Sequence, residues 1–274
     1  LYHKLKEKND LRLALIVMDG LSLDQWLTIR DVLTMQCNDL HFSESAVYSW
    51  IPTITTVSRQ SIFAGKPPLY FQGSIQNSSR EEYLWNRFWL DHGLNLDEIA
   101  YIKNLEDGND SLGKVLTICE RTQCKVIGLV VAKVDKIMHG MELGIAGMHN
   151  QIRQWTQEGF LLRLLEHLHQ KNFRVWLTSD HGNIEAVGCG YPDENSIADL
   201  RGSRARTYST TTLRAHSKQN FPDSIEWLSC GLPSDFLPLI AEARKAFIPK
   251  GKRIVTHGGI SLEEVVVPFI EINK

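Results

Sequence analysis

The chain of 274 residues has neither a long apolar run nor an excess of charge of one sign. Its longest apolar runs, such as VIGLVVA at 126–132, are much shorter than the roughly 20 residues that a membrane-spanning helix needs. Lysine and arginine number 30 and aspartate and glutamate 32, so no overall positive field favours nucleic acid, although a local basic patch is compatible with these totals. We therefore expect no membrane partner.

A secretory signal and a regular cysteine spacing are also lacking. The five cysteines are odd in number and have no paired spacing of the zinc-ribbon kind, which favours free thiols in a reducing, cytoplasmic compartment. The first residue is Leu1 rather than Met, and we expect the chain to be the C-terminal fragment of a longer protein.

Apolar, β-branched segments alternate with helical patterns along the chain. The segments that predict strands are 13–18, 99–102, 126–134, 173–179 and 265–272. Their hydrophobicity is nearly continuous, which is typical of strands covered on both faces. The segments with a helical pattern are 80–92, 151–170 and 233–247. This alternation predicts an α/β fold of three layers, with a mainly parallel central sheet and helices on both faces.

One stretch, 185–231, is polar and carries only weak strand signals. We interpret it as an irregular excursion near the functional site and not as a second domain. The chain is therefore predicted to form a single domain over 1–274.

Carboxylates and imidazoles gather where the predicted strands end. These residues are Asp19, Asp135, His139, Asp180, His181 and His257. For any one of them a simpler interpretation exists, because an aspartate at a strand end often caps the next helix and a lone histidine is usually a satisfied polar residue. Six such groups at one sheet edge would repel one another or stay unsatisfied without cations. They also exceed the ligands of one tetrahedral zinc, so the pattern predicts two metals.

A cluster of hydroxyls marks the segment 51–66, with the sequence IPTITTVSRQSIFAGK. The segment predicts a tight turn after Pro52 and then a short helix that ends at Gly65. The hydroxyls at the helix start are Thr53, Thr55, Thr56 and Ser58. One interpretation is a helix cap. The other is a nucleophile, because a helix N-terminus stabilises an alkoxide or a phosphate through its free N–H groups and its dipole.

Five motifs in this order resemble the PglZ domain of the alkaline phosphatase superfamily. They are MDG, PTITTVSRQSIFAG, DKIMH, SDHG and HGGISLEEVVVPF. The resemblance covers nearly the whole chain, with its poorest coverage in 185–250. It implies two divalent metals, with zinc predicted and manganese as the alternative. By resemblance Asp19, Asp180 and His181 hold one metal, and Asp135, His139 and His257 hold the other.

The resemblance also implies that Thr55 bridges the metals and is the nucleophile. Related sulfatases have an arginine four residues after the nucleophile, where this chain has Arg59, which we predict to be catalytic. Related phosphodiesterases have a glycine ten residues after it, where this chain has Gly65. Two positions depart from the phosphodiesterase pattern, because Met138 replaces a glycine and Ser58 replaces an asparagine that contacts a phosphate oxygen. Ser58 can still donate one hydrogen bond and is predicted to bind substrate.

The RGSRAR run is a second source of positive charge for a phosphate. It contributes Arg201, Arg204 and Arg206, which are candidate substrate-binding residues. The alternative for this run is a solvated surface loop.

The resemblance implies a hydrolase of phosphate esters that forms a phosphothreonine intermediate. PglZ domains occur in BREX-type bacterial phage-defence systems, which implies other defence proteins as partners. A phosphodiesterase is predicted, with nucleotides or oligonucleotides as candidate substrates, because some related domains cleave such bonds. The alternatives are a phosphomonoesterase and a metal-binding docking module with little turnover.

Overall fold

The computed structural model describes residues 1–6, 11–106, 108–192 and 200–274. The strands are β1 (Arg12–Met18), β2 (His41–Tyr48), β3 (Ile99–Leu105), β4 (Val126–Val131), β5 (Phe173–Ser179), β6 (Ile184–Gly188), β7 (Leu200–Arg201), β8 (Ala205–Tyr208), β9 (Ile225–Glu226), β10 (Leu237–Ile240), β11 (Lys245–Ala246), β12 (Arg253–Thr256) and β13 (Val266–Asn273). The α-helices are α1 (Tyr2–Lys6), α2 (Leu23–Gln36), α3 (Thr55–Ala64), α4 (Glu81–Asp91), α5 (Asn109–Cys119), α6 (Lys133–His139), α7 (Gly144–Gln157), α8 (Phe160–Gln170), α9 (Thr211–Asn220) and α10 (Leu262–Val265). Short 3-10 helices occupy Pro68–Ser74 and Leu96–Glu98. No helix within these ranges is apolar over enough residues to cross a bilayer.

A six-stranded sheet in the order β2-β13-β5-β1-β4-β3 forms the centre of the fold. Strands β5, β1, β4 and β3 run parallel to their neighbours in that group, as the apolar runs predicted. Strand β13 pairs antiparallel with both β5 and β2. The edge strand β2 was missed from the sequence because its residues are largely exposed and its HFSESAVY segment has no continuous apolar run.

Both faces of this sheet are covered by helices, which gives the predicted three layers. Alternate residues of β1 point to opposite faces, so that Ile16 joins the cluster formed with α2, α5, α7 and α8. Leu15 joins the cluster formed with α3 and α4, which includes Phe63, Trp85 and Trp89. The apolar strands are thus buried on both sides.

The predicted helix 151–170 is two helices, α7 and α8. Gly159 separates them because it adopts a left-handed conformation, with φ of 80°. The helical spacing itself was predicted correctly for α8, which buries a stripe of apolar side chains. This stripe consists of Phe160, Leu161, Leu164, Leu165 and Leu168.

The predicted helix 233–247 is wrong, since this segment contains β10 and β11. Pro238 lies within β10 and would interrupt a helix, and β10 pairs antiparallel with β8 and β9 instead. The segment 185–231 was predicted to be irregular, yet its described part contains α9 and several short strands. Helix α9 has the sequence TTLRAHSKQN, which is too polar to produce an apolar periodicity.

The parallel strands bring their carboxyl ends to one edge of the sheet. The register places Met18 of β1 opposite both Val131 of β4 and Ser179 of β5. The residues that follow these three strands therefore meet at one level, outside the end of the sheet, where α/β proteins bind ligands.

The apolar stripe of α8 predicts a stability difference between two leucine substitutions. Leu164 is fully buried and Leu228 is 80% exposed. We expect Leu164→Ala to lower the free energy of unfolding by about 2–5 kcal/mol, because it removes buried methylene groups and leaves a cavity. Leu228→Ala should change it by less than about 0.5 kcal/mol. Equal losses in a denaturant titration would contradict the described packing of α8.

Candidate active site

Two aspartates lie side by side at the carboxyl ends of β1 and β5. Asp19 follows β1, and its backbone N–H donates to the Val131 carbonyl at 2.9 Å. Asp180 follows β5 and accepts the Gly20 N–H at 3.1 Å through Oδ1. Both side chains are buried. Burial and the neighbouring Asp19 carboxylate raise the pKa of Asp180 well above its usual range, because two buried negative charges in contact are unfavourable.

His181 completes a set of three potential metal ligands with these aspartates. Its Nδ1 lies 3.0 Å from the Gly182 carbonyl oxygen, which only accepts, so Nδ1 carries the proton and Nε2 has a free lone pair. Nε2 is 3.9 Å from Asp19 Oδ1 and 3.9 Å from Asp180 Oδ2. Burial lowers the pKa of His181, which keeps the ring neutral. The ligand atoms of the three residues lie within 4.8 Å of one another.

The chemistry of this set fits a divalent cation. Asp19 Oδ1 and Asp180 Oδ2, the oxygens nearest His181 Nε2, are buried and have no hydrogen-bond partner among the described residues. A buried carboxylate oxygen without a partner is costly unless a cation satisfies it. One imidazole with two carboxylates is a donor set that zinc accepts and that manganese tolerates.

The second predicted ligand set consists of Asp135, His139 and His257. It lies next to the first set, and its members are farther apart. In α6, His139 Nε2 is 3.4 Å from Asp135 Oδ1, one helical turn earlier. Burial would raise the pKa of Asp135, but the hydrogen bond to His139 and the positive charge of a protonated His139 outweigh it and lower this pKa. A Cβ atom on Gly20 would come within 3.7 Å of Asp135 and within 3.5 Å of His181 Cε1, so the two sets are neighbours.

His257 contributes to the second set from the loop before α10. Its ring stacks on that of His181, with centroids 3.8 Å apart and an angle of 8° between the planes. Its Nδ1 donates to the Thr53 carbonyl at 2.8 Å, which leaves Nε2 free as a ligand atom. Burial and the adjacent His181 lower the pKa of His257 to about 4, so the ring is neutral at pH 7.

Thr55 is the residue whose hydroxyl contacts the first ligand set. It is the first residue of α3, and its Oγ1 lies 2.9 Å from His181 Nε2. Because Nε2 is unprotonated, the Thr55 hydroxyl donates this hydrogen bond. The nearby Thr53 has another role, since its Oγ1 donates to the Gly259 carbonyl at 3.0 Å and accepts the Gly258 N–H at 3.1 Å. Thr53 thus fastens the His257 loop to the start of α3.

Arg59 lies one helical turn after Thr55 on α3 and contacts both aspartates. Its Nη1 donates to Asp19 Oδ2 and lies 3.6 Å from Asp180 Oδ2. Its Nε donates to Glu81 Oε1 at 2.8 Å. Burial alone would lower the pKa of Arg59, but the three carboxylates raise it, so the guanidinium is a permanent positive charge in the site. Sequence reasoning missed Glu81, because an acidic residue in the first turn of a helix is common.

Nearly the whole chain matches one family. The model of the BREX system PglZ alkaline phosphatase-like domain covers residues 2–272. This chain belongs to the PglZ family. The resemblance of the five motifs is thereby confirmed, and so is the predicted class of a metal-dependent hydrolase of phosphate esters. No curated protein matches the sequence of this chain.

Solved structures share the fold of this PglZ domain at low sequence identity. Murine ectonucleotide pyrophosphatase/phosphodiesterase 5, in an inactive form bound to AMP, has a TM-score of 0.66 and 10% identity over 95% of this chain and 87% of that chain. Human ectonucleotide pyrophosphatase/phosphodiesterase 5 has a TM-score of 0.63 and 11% identity over 96% and 87%. Phosphonoacetate hydrolase from Sinorhizobium meliloti, in complex with phosphonoformate, has a TM-score of 0.60 and 13% identity over 96% and 90%. The predicted alkaline-phosphatase-like α/β fold is confirmed.

The contacts of Ser58 in the PglZ domain do not support its predicted role in substrate binding. Its side chain is buried, and its Oγ lies 2.9 Å from Ser49 Oγ and 3.5 Å from the Trp50 carbonyl oxygen. The hydroxyl is therefore engaged on the side of β2 and not with the ligand set.

The two described arginine side chains of the RGSRAR run, Arg204 and Arg206, form hydrogen bonds with other residues of the domain. Arg204 is 1% exposed, and its Nε donates to Glu264 Oε1 at 2.8 Å. Arg206 is 4% exposed and donates to the Gly202 and Phe247 carbonyls. These contacts favour neither substrate binding nor the alternative of a solvated loop. The side chain of Arg201 lies outside the described residues.

The pair of Arg204 and Glu264 holds the loop that carries His257. Glu264 accepts the Gly259 N–H at 2.7 Å and the Ser261 N–H at 3.1 Å. A Cβ atom on Gly259 would lie 2.4 Å from Arg204 and 2.6 Å from Glu264, so a larger residue would displace the buried pair. The pair therefore links β8 to the second ligand set.

Adjacent glutamates provide a test of this buried pair. Glu264 is buried with Arg204, whereas Glu263 pairs with Arg244 on the surface. We expect Glu264→Gln to lower the free energy of unfolding by about 3–5 kcal/mol, because it leaves the Arg204 charge buried without a counter-ion. Glu263→Gln should cost less than about 1 kcal/mol. Similar values for the two variants in chemical denaturation would argue against the buried pair.

Proposed function

We propose that this PglZ domain hydrolyses phosphodiesters with Thr55 as the nucleophile and two divalent metal ions as cofactors. The observation that carries the proposal is the contact of the Thr55 hydroxyl with His181, beside two buried carboxylate oxygens that have no hydrogen-bond partner among the described residues. A hydroxyl, an imidazole and two carboxylates converge there on one small volume. No structural role in capping or packing accounts for this combination.

The residues that would hold the metals form two sets. Asp19, Asp180 and His181 would hold the first, and Asp135, His139 and His257 would hold the second. When bound, two divalent cations lower the pKa of a hydroxyl nucleophile and neutralise the charge that develops on the phosphoryl and leaving oxygens. We propose zinc because each set contains imidazole, with manganese as the alternative.

The chain itself positions the nucleophile. Thr55 opens the ten-residue helix α3, whose N-terminal N–H groups and dipole favour the phosphoryl group of the substrate. Its Oγ gives up its proton to solvent and forms a bond to phosphorus, while the bond to the leaving oxygen breaks and the leaving group takes the electron pair. The phosphorus on Thr55 still carries the second ester group of the diester. Water then attacks the phosphorus of this threonine ester and the bond from phosphorus to Oγ breaks. A phosphomonoester is released, and Oγ takes up a proton to restore the hydroxyl.

Charge in the site favours a diester over a monoester. A phosphomonoester carries more negative charge at pH 7 than a diester and needs more cationic groups. Arg59 is already shared among three carboxylates, and Ser58 is engaged with Ser49 and Trp50. Next to Thr55, Arg59 was predicted to supply positive charge and Ser58 to donate a hydrogen bond to the phosphate. Nucleotides or oligonucleotides are the proposed substrate class, consistent with the AMP bound by the murine ectonucleotide phosphodiesterase.

Family membership supports a role in BREX phage defence, with other defence proteins as partners and a cytoplasmic location. A docking module that binds metal with little turnover is the second candidate. The presence of all six ligand residues and of a hydroxyl in contact with them favours the enzyme over this candidate.

Ligand substitutions test the two metal sets. With a bis-aryl phosphate, we expect metal-dependent turnover that exceeds turnover of the mono-aryl phosphate. Asp180→Ala and His257→Ala should each abolish it, because each removes a ligand of a different metal. His216→Ala is the control, since His216 is exposed on α9. Faster turnover of the mono-aryl substrate would favour the monoesterase, and metal binding without turnover would favour the docking module.

Thr55 variants test the covalent mechanism. Thr55→Ala should lose hydrolysis by several powers of ten and still bind close to two metals per chain in elemental analysis, because six other residues supply ligands. Thr55→Ser should keep part of the activity, since it retains the oxygen and loses only the methyl group that restricts χ1. Mass spectrometry of wild-type reactions quenched during turnover of the bis-aryl phosphate should find an aryl-phosphoryl group on Thr55. Full activity of Thr55→Ala would show that water, and not Thr55, attacks the substrate.

A further inference from the structure

We propose that Glu81 is a positioning residue that sets the metal affinity of the first ligand set, which it does by holding Arg59. This inference rests on the proposed function, because it concerns the metal held by Asp19, Asp180 and His181. Glu81 touches none of these ligands itself in the described contacts, and its effect passes through the guanidinium.

Glu81 is fixed from several sides. It lies in the first turn of α4 and is 1% exposed. Its Oε1 accepts from Arg59 Nε at 2.8 Å. Its Oε2 accepts from the Tyr101 hydroxyl at 2.7 Å and lies 2.9 Å from Lys103 Nζ. A buried carboxylate with three donors is held in one orientation, so it fixes the guanidinium in turn.

Arg59 orients Asp19 toward the site. Because Nη1 binds Oδ2 of Asp19, the other oxygen, Oδ1, is the one left 3.9 Å from His181 Nε2 and without a partner among the described residues. The arginine thus presents one carboxylate oxygen for a metal while it occupies the other. Groups behind a ligand that fix its orientation in this way typically change metal affinity by roughly 10- to 100-fold.

Glu81 also limits how much positive charge the ligand set experiences. Arg59 contacts Asp19 and lies 3.6 Å from Asp180 Oδ2, an oxygen that would bind the metal. Without the Glu81 charge, less of the guanidinium charge is balanced by carboxylates, and the remainder opposes an incoming cation. A guanidinium released from Glu81 can also approach Asp180 and compete for that oxygen. Both effects weaken metal binding at the first set and leave the second set unaltered.

The test is a titration of the metal-free protein with Zn²⁺ in competition with a chromophoric chelator. Wild type should bind two ions. Glu81→Gln should keep one affinity within about threefold and lose about 10- to 100-fold in the other. The matched control is Glu82→Gln, because Glu82 is the adjacent residue of α4 and is exposed. It should behave like wild type.

A double variant separates positioning from a general structural effect. If the released guanidinium competes with the metal, Glu81→Gln combined with Arg59→Gln should bind Zn²⁺ more tightly at the first set than Glu81→Gln alone. A merely structural role predicts a further loss. Should Glu81→Gln fail to fold, Tyr101→Phe removes a single donor to Glu81 and should weaken the same affinity several-fold.

The outcomes distinguish this inference from the proposed function. Two Zn²⁺ sites in wild type with unchanged affinities in Glu81→Gln, or in Tyr101→Phe if that variant is needed, would overturn the role of Glu81 alone. Wild type that binds no metal would overturn both the role of Glu81 and the metal-dependent mechanism.

Discussion

Two carboxylates, Asp19 and Asp180, are buried against each other at the ends of neighbouring parallel strands. Negative charges in contact and away from water need positive charge nearby, and this need organises the surrounding structure. Arg59 supplies a positive charge from α3 to both aspartates. The two oxygens nearest the neutral His181, Asp19 Oδ1 and Asp180 Oδ2, have no hydrogen-bond partner among the described residues. The site is built so that a cation completes it.

The helix that brings Arg59 to this pair also brings Thr55. The two residues are four apart on α3 and lie on the same side of the helix. The anchoring of α3 therefore sets the nucleophile and the balancing charge together. Thr53, just before the helix, ties α3 to the loop of His257, and the buried pair of Arg204 and Glu264 fixes that loop. Segments that are distant in sequence thus position the side chains of one site.

The sequence allowed much of the central fold to be predicted. The strands β1, β3, β4 and β5 were recognisable because burial on both faces demands nearly continuous apolar runs. Strand β2 was not, since an exposed edge strand needs no such run. The prediction of a helix over 233–247 was wrong because a short apolar segment has no unique period. The pairing of β10 with β8 decided the conformation of this segment.

By itself the sequence determined the family, the α/β fold and the residues that end the strands, because each follows from local order along the chain. The tertiary structure decided how side chains are paired. Arg204 was a candidate to bind a phosphate or to lie in a solvated loop, but in the folded chain Glu264, sixty positions later, lies beside it in the interior. Glu81 was indistinguishable from an ordinary acidic residue at a helix start until the packing of α4 against α3 brought it to Arg59. The reason is physical: the energy of a buried charge depends on what surrounds it in space, and residues far apart in the chain supply those surroundings.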